Sequence, residues 1–109
     1  MKHLTITLLA LIISFSMTAE EYICSTIFSN EIVTTTIKRK DNYFLAQLIG
    51  GDEFKKFDVI VENDYTFSIV FKDIPLYLII YQINKDSLKF TAQEFGYTTA
   101  YEGKCVLRD

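Results

Sequence analysis

The chain has no tryptophan, a single histidine at position 3, one proline, four glycines and two cysteines among 109 residues. Each scarcity removes a class of protein. With 50% hydrophobic and 15% aromatic residues and so little glycine and proline, the composition is neither disordered nor fibrous. A formal charge of −3, with 11 basic against 14 acidic residues, leaves no clustered positive surface for reading phosphates, so no nucleic-acid partner is expected. The length allows one folded module.

What is present begins with an address. Lys2 and His3 precede an apolar run from Leu4 to Phe15, and Ser16-Met17-Thr18-Ala19 leads into Glu20-Glu21. A positive start, an apolar stretch of about a dozen residues and a small-residue exit are the layout of a secretory signal peptide. A spanning helix needs about 20 apolar residues, so a membrane anchor is the weaker reading and no stable span is expected after cleavage. The division expected is a signal peptide at 1–19 and a single domain at 20–109, with the cut falling within Ser16 to Ala19 and the product in the periplasm or secreted. Cleavage removes one basic residue, no acidic one and the sole histidine, which leaves a net charge of −4.

About 90 residues form a marginal core, for which a covalent staple is valuable. Cys24 and Cys105 lie near the two ends of the exported part, and in an oxidising compartment they are expected to form one disulfide. The alternative, a free nucleophilic thiol, wants a neighbouring histidine or a cationic pocket to hold the thiolate.

Period-two alternation recurs along the chain. Tyr22 to Phe28 is followed by a turn at Ser29-Asn30, the β-branched run Ile32 to Lys38, a turn at Lys40-Asp41-Asn42, and Tyr43 to Ile49. After Gly50-Gly51-Asp52, Phe54 to Glu62 places Phe57, Val59 and Val61 on one face, although Asp52 to Lys56 also suits a short helical turn. Asn63-Asp64 turns the chain into the stripe Tyr65, Phe67, Ile69 and Phe71, which Asp73-Ile74-Pro75 ends. Leu76 to Ile83, Leu88 to Phe95 and Thr98 to Leu107 complete the set, with breaks at Asn84 to Ser87 and Gly96. The expected fold is all-β, a small antiparallel eight-stranded meander closing into a barrel, because bonded cysteines would bring the first and last strands together. A two-sheet β-sandwich satisfies the same cysteines. Phe57, Phe67, Phe71 and Phe90 fall on the inward stripes, which favours a packed interior over a cavity.

Tyr22-x-Cys24 near the mature start and Cys105-x-Leu107 at the end resemble the frame of the periplasmic inhibitors of c-type lysozyme, which are small barrels. That family inhibits through a Ser-Gly-containing loop, and no Ser-Gly pair occurs here, so no inhibitory residue carries over. Tyr101-Glu102-Gly103-Lys104-Cys105 is similar to the ending of short exported bacterial proteins with a Tyr-x-Gly-x-Cys pattern.

Catalytic residues are not expected. Ser-His-Asp and Cys-His arrangements need a histidine base that the exported chain lacks, and zinc sites draw on histidine and free cysteine. Gly50-Gly51 has no following Gly-Lys to cradle a phosphate. A carboxylate pair of the glycosidase kind needs a cleft that a narrow barrel lacks. Glu62-Asn63-Asp64 lacks the ligand ladder of a calcium loop and reads as a solvated turn, and Lys38-Arg39-Lys40 as a solvated strand end. No cofactor or metal is expected.

The segment Leu76 to Ile83 stands apart because both of its faces are apolar. One carries Leu76, Leu78 and Ile80; the other carries Tyr77, Ile79, Tyr81 and Ile83. The second set, with two tyrosines at alternate positions, is the candidate surface for a protein or envelope partner, unless the Gly50 to Lys56 loop covers it. The expected function is thus an exported, non-catalytic binding barrel, with carriage of a small apolar ligand as the alternative.

Overall fold

The computed structural model describes residues 20–73, 77–95 and 99–108, with Tyr77 and Thr99 described by backbone alone. The expected leader at 1–19 and the expected breaks at Pro75 and Gly96 lie outside the described residues. Eight antiparallel strands close into one barrel in sequence order: β1 (Glu21–Phe28), β2 (Glu31–Arg39), β3 (Tyr43–Gln47), β4 (Phe54–Glu62), β5 (Thr66–Asp73), β6 (Tyr77–Asn84), β7 (Lys89–Glu94) and β8 (Thr99–Arg108). A sandwich is excluded, since every strand pairs with its sequence neighbours and β1 pairs with β8. No helical turn forms at 52–56, where the chain enters β4 at Phe54.

Local chemistry explains the joints. Ser29 and Asn30 both take positive φ, 52° and 65°, between the paired residues Phe28 and Glu31. Two left-handed residues in a two-residue hairpin match the strand twist, and asparagine tolerates that conformation well. Between β4 and β5 the Asn63 side chain accepts the Tyr65 and Thr66 amides at 2.8 and 3.0 Å, and Asn84 does the same for Asp86 and Ser87 after β6. Such side-chain turns let short connections reverse direction.

Aromatic rings fill the interior. Tyr22, Phe44, Phe57, Phe67, Tyr81 and Phe90 are fully buried. Phe67 stacks on Phe44 at 4.7 Å and tilts against Tyr22 at 5.3 Å; Tyr81 stacks on Phe57 at 4.8 Å and meets Phe90 edge-on at 5.1 Å. Offset and edge-to-face pairs of this kind add to burial. These rings form the core of the barrel.

The seam between first and last strands is covalent. Cys24 and Cys105 are bonded, both buried, and sit directly opposite each other in the β1–β8 ladder. Two residues earlier in β8, Gly103 lies opposite Thr26 on one side and Phe90 on the other. A Cβ at Gly103 would drive into the Ser25 carbonyl and the Thr26 methyl, so only glycine lets β8 approach β1 this closely.

A bulge interrupts β4. The β4–β5 register shifts between Val59 and Val61, so that Ile60 is the extra residue. The expected face Phe57, Val59, Val61 is thereby broken: Phe57 is buried and Val59 packs against the core, but Val61 pairs with Ser68 and is half exposed. An inserted residue reverses the phase of everything after it. Tyr65, expected to begin the inward stripe of β5, precedes the strand and is exposed.

Candidate functional site

The doubly apolar strand β6 is oriented by its register. Ile83 pairs with Phe67, Tyr81 with Ile69 and Ile79 with Phe71, which places Ile79, Tyr81 and Ile83 inside the barrel, all of them buried. The Tyr81 hydroxyl donates to the Gln47 carbonyl at 2.7 Å. The expected partner surface of Tyr77, Ile79, Tyr81 and Ile83 is corrected accordingly: three of its members are core, and the side chain of Tyr77 lies outside the described residues. Of the Gly50 to Lys56 segment, Gly50 lies against the Phe28 ring and residues 54–56 belong to β4.

The opposite set of β6 faces out. Leu78 and Ile80 are partly buried on the outer surface, and Val70 of β5 pairs with Ile80. The Phe95 amide donates to the Leu78 carbonyl at 2.9 Å, which sets Phe95 beside Leu78. On the other side, the β4 bulge turns Ile60 and Val61 outward. Ile60, Val61 and Phe95 are each about half exposed, whereas Val70, although outward, is almost covered by its neighbours. The result is an apolar band running obliquely over β4, β5, β6 and the end of β7, flanked by the polar residues Asp58, Ser68, Lys72, Gln82 and Gln93. Contiguous apolar surface with a polar border is the character of a docking face. Leu78 and Ile80 were visible in the sequence as one of two apolar sets; Ile60 and Val61 joined them only through the bulge.

A second constellation closes one mouth of the barrel. Arg39 ends β2 in the inward phase, and its guanidinium lies 4.6 Å from the centre of the Phe44 ring and 6.0 Å from that of Phe67. It donates to Glu20 and, through both terminal nitrogens, to Glu62. Lys85 donates to the same Glu62 carboxylate at 2.9 Å and to the Asn63 carbonyl at 2.8 Å, while the Tyr22 hydroxyl donates to Glu20.

The protonation states follow from these contacts. Burial works against the Arg39 charge, but hydrogen bonds to Glu62 and Glu20 outweigh it and raise its pKa. Burial likewise opposes ionisation of Glu62, and its hydrogen bonds to Arg39 and Lys85 prevail, holding it below the usual carboxylate range. Burial first, then Glu20, pushes the Tyr22 phenol well above its ordinary value. The expectation that Lys38-Arg39-Lys40 is a solvated strand end fails at Arg39, because its partners arrive from Glu20, just before β1, and from Glu62 at the end of β4. Each cation of this cluster faces a carboxylate, so the cluster is a plug of matched charge.

Among the described residues there is no group of three or more His, Cys, Asp or Glu placed to hold a metal ion. An open groove of about 370 Å³ lies along β7 and β8, lined by Lys89, Phe90, Thr91, Glu102, Gly103 and Lys104. No protein-family model matches the chain, and neither a curated protein nor a solved structure matches it.

Proposed function

We propose that the chain is an exported, non-catalytic binding module that engages a protein or envelope component through the outer apolar band of Ile60, Val61, Leu78, Ile80 and Phe95. The observation that carries this reading is the double apolarity of β6: its inner set supplies the core, and its outer set continues into exposed neighbours on both sides. A strand facing water has no structural need for Leu78 and Ile80. The leader pattern, the absence of histidine after position 3 and the cystine support export and argue against acid–base or thiol chemistry. The reading keeps the small exported barrel implied by the resemblance to lysozyme inhibitors and makes no use of their inhibitory loop.

Site-specific photo-crosslinking from position 95 on the exported protein, in its native envelope extract, tests the reading. One dominant adduct is expected, and it should disappear when Val61 and Ile80 are both changed to serine. The same adducts from position 95 and from position 106 on β8, outside the band, unchanged in the double variant, would overturn the band as the site.

A further inference from the structure

The barrel wall is incomplete between β2 and β3. Their ladder holds only three pairs, Ile37↔Ala46, Lys38↔Leu45 and Arg39↔Phe44. Beyond Ile37, β2 continues for six residues with β1 as its only strand partner among the described residues. One further bond extends the wall: the Thr36 amide donates to the Gln47 side-chain carbonyl at 3.0 Å, and the Gln47 amide group donates in turn to the Asp52 carbonyl. After that, β3 has ended and the chain turns in toward Phe28.

The direction of the free groups follows from phase. The Arg39 amide donates to Glu20, on the β1 side, and the Thr36 amide points to the β3 side. Odd residues of β2 therefore address β1, and Ile32 and Thr34 direct both N–H and C=O toward the missing wall. No described residue accepts or donates there. The segment Ile32-Val33-Thr34-Thr35-Thr36 is uncharged and consists wholly of β-branched residues, with Ile32 76% exposed and its cross-strand partner Ile27 67% exposed. Natural proteins usually blunt such an edge with charge, proline or a covering loop.

Charge selects among occupants. Glu31, Asp52, Glu53 and Asp73 are exposed and Glu94 is partly exposed on the rim at this end of the barrel, against Lys55, which pairs with Glu53, and Lys72. Lys38 also reaches this end, its ammonium over the ring of Phe54 at the start of β4, so five carboxylates stand against three cations. A second copy would bring an equal negative rim to the edge; a basic strand would meet it favourably.

We infer that the β2 edge at Ile32 and Thr34 is a strand-addition site for an extended basic polypeptide segment, its backbone completing the ladder and its apolar side chains lying beside Ile32 and Ile27. This site is separate from the outer band of β4 to β7, and either can fail without the other.

The probe is a capped ten-residue peptide of alternating valine and threonine with two lysines at each end, and a matched peptide with glutamates in their place. Amide hydrogen exchange of the full exported domain is followed by NMR. The lysine peptide should slow exchange at Ile32 and Thr34 at least ten-fold in a saturable manner, with binding at least ten-fold tighter than for the glutamate peptide and weaker in high salt. Thr34→Pro removes an N–H directed away from β1 and should abolish the effect. Ile32→Ser, at an exposed position that leaves the core and the rim charge untouched, should weaken it several-fold and serves if the proline variant misfolds. Unchanged exchange at both amides at millimolar lysine peptide would overturn the inference. So would equal binding of the two peptides, protection confined to Phe95 and the outer band, or protein-concentration-dependent protection without peptide, which would make the occupant a second copy.

Discussion

Cys24 and Cys105 are direct cross-strand partners in the ladder that joins the first strand to the last, with Cα atoms 3.9 Å apart across 81 positions of sequence. A meander gains its neighbouring pairs through short turns, but this closing ladder must gather the two ends of the chain, which is the costliest loop to close. The bond removes that cost from the unfolded state. Changing both cysteines to serine should lower stability by about 4 kcal/mol, read as a shifted urea midpoint, and reductant should produce the same shift in the wild type only.

Gly103→Ala should be damaging out of proportion to one methyl group. The added carbon meets backbone at Ser25, which cannot swing aside as a side chain would. Overpacking typically costs about 1–3 kcal/mol, and the seam should lose more than Gly51→Ala, where the nearest atom, the Leu48 carbonyl oxygen, would be 3.4 Å away. Thermal melts of the two variants side by side check this, and equal melting temperatures would refute the close-approach explanation.

Glu62 gives the barrel an acid-sensitive mouth. Its carboxyl is held below its ordinary value of 4.5 by Arg39 and Lys85 despite burial. The unfolded chain therefore takes up the proton first, so this contribution is complete above about pH 4.5 and is lost as pH falls through the lower folded value. Glu62→Gln should be less stable at neutral pH and should show a shallower loss between neutral and acid conditions. Parallel wild-type and variant slopes in denaturant titrations from pH 7 to pH 3 would contradict it.

Tyr81 and Phe95 separate core from surface. Tyr81→Ser removes a ring packed between Phe57 and Phe90 together with its bond to Gln47, and should cost about 3–5 kcal/mol. Phe95→Ser acts on a half-exposed ring and should change stability by about 0.5 kcal/mol or less. Circular dichroism melts give both values, and a destabilised Phe95→Ser would mean that the outer band is structural.

Much of the fold was legible in sequence because it is local. The Ser29-Asn30 hairpin, the Asn63 and Asn84 turns and the inward phase of Phe57, Phe67, Phe71 and Phe90 all follow from residues within a few positions of one another. The cysteines near the two ends then implied closure. The candidate site was harder to read. Period-two alternation separates two faces, but where both are apolar, as in Leu78-Ile79-Ile80-Tyr81, it cannot say which one is inside.

Residue order thus determined the strands, their turns and the cystine that closes them, since these depend on local backbone preference and on covalent reach. Only the tertiary structure decided that Tyr81 is core and Ile80 surface, that Ile60 bulges and turns Val61 out, that Arg39 is drawn under Glu20 and Glu62, and that β2 outruns β3 so that, among the described residues, Ile32 and Thr34 pair with β1 alone. Each of these is set by register between strands and by charge partners about 20 residues or more apart in the chain, and register is fixed by the fit of whole faces around the barrel rather than by any single segment.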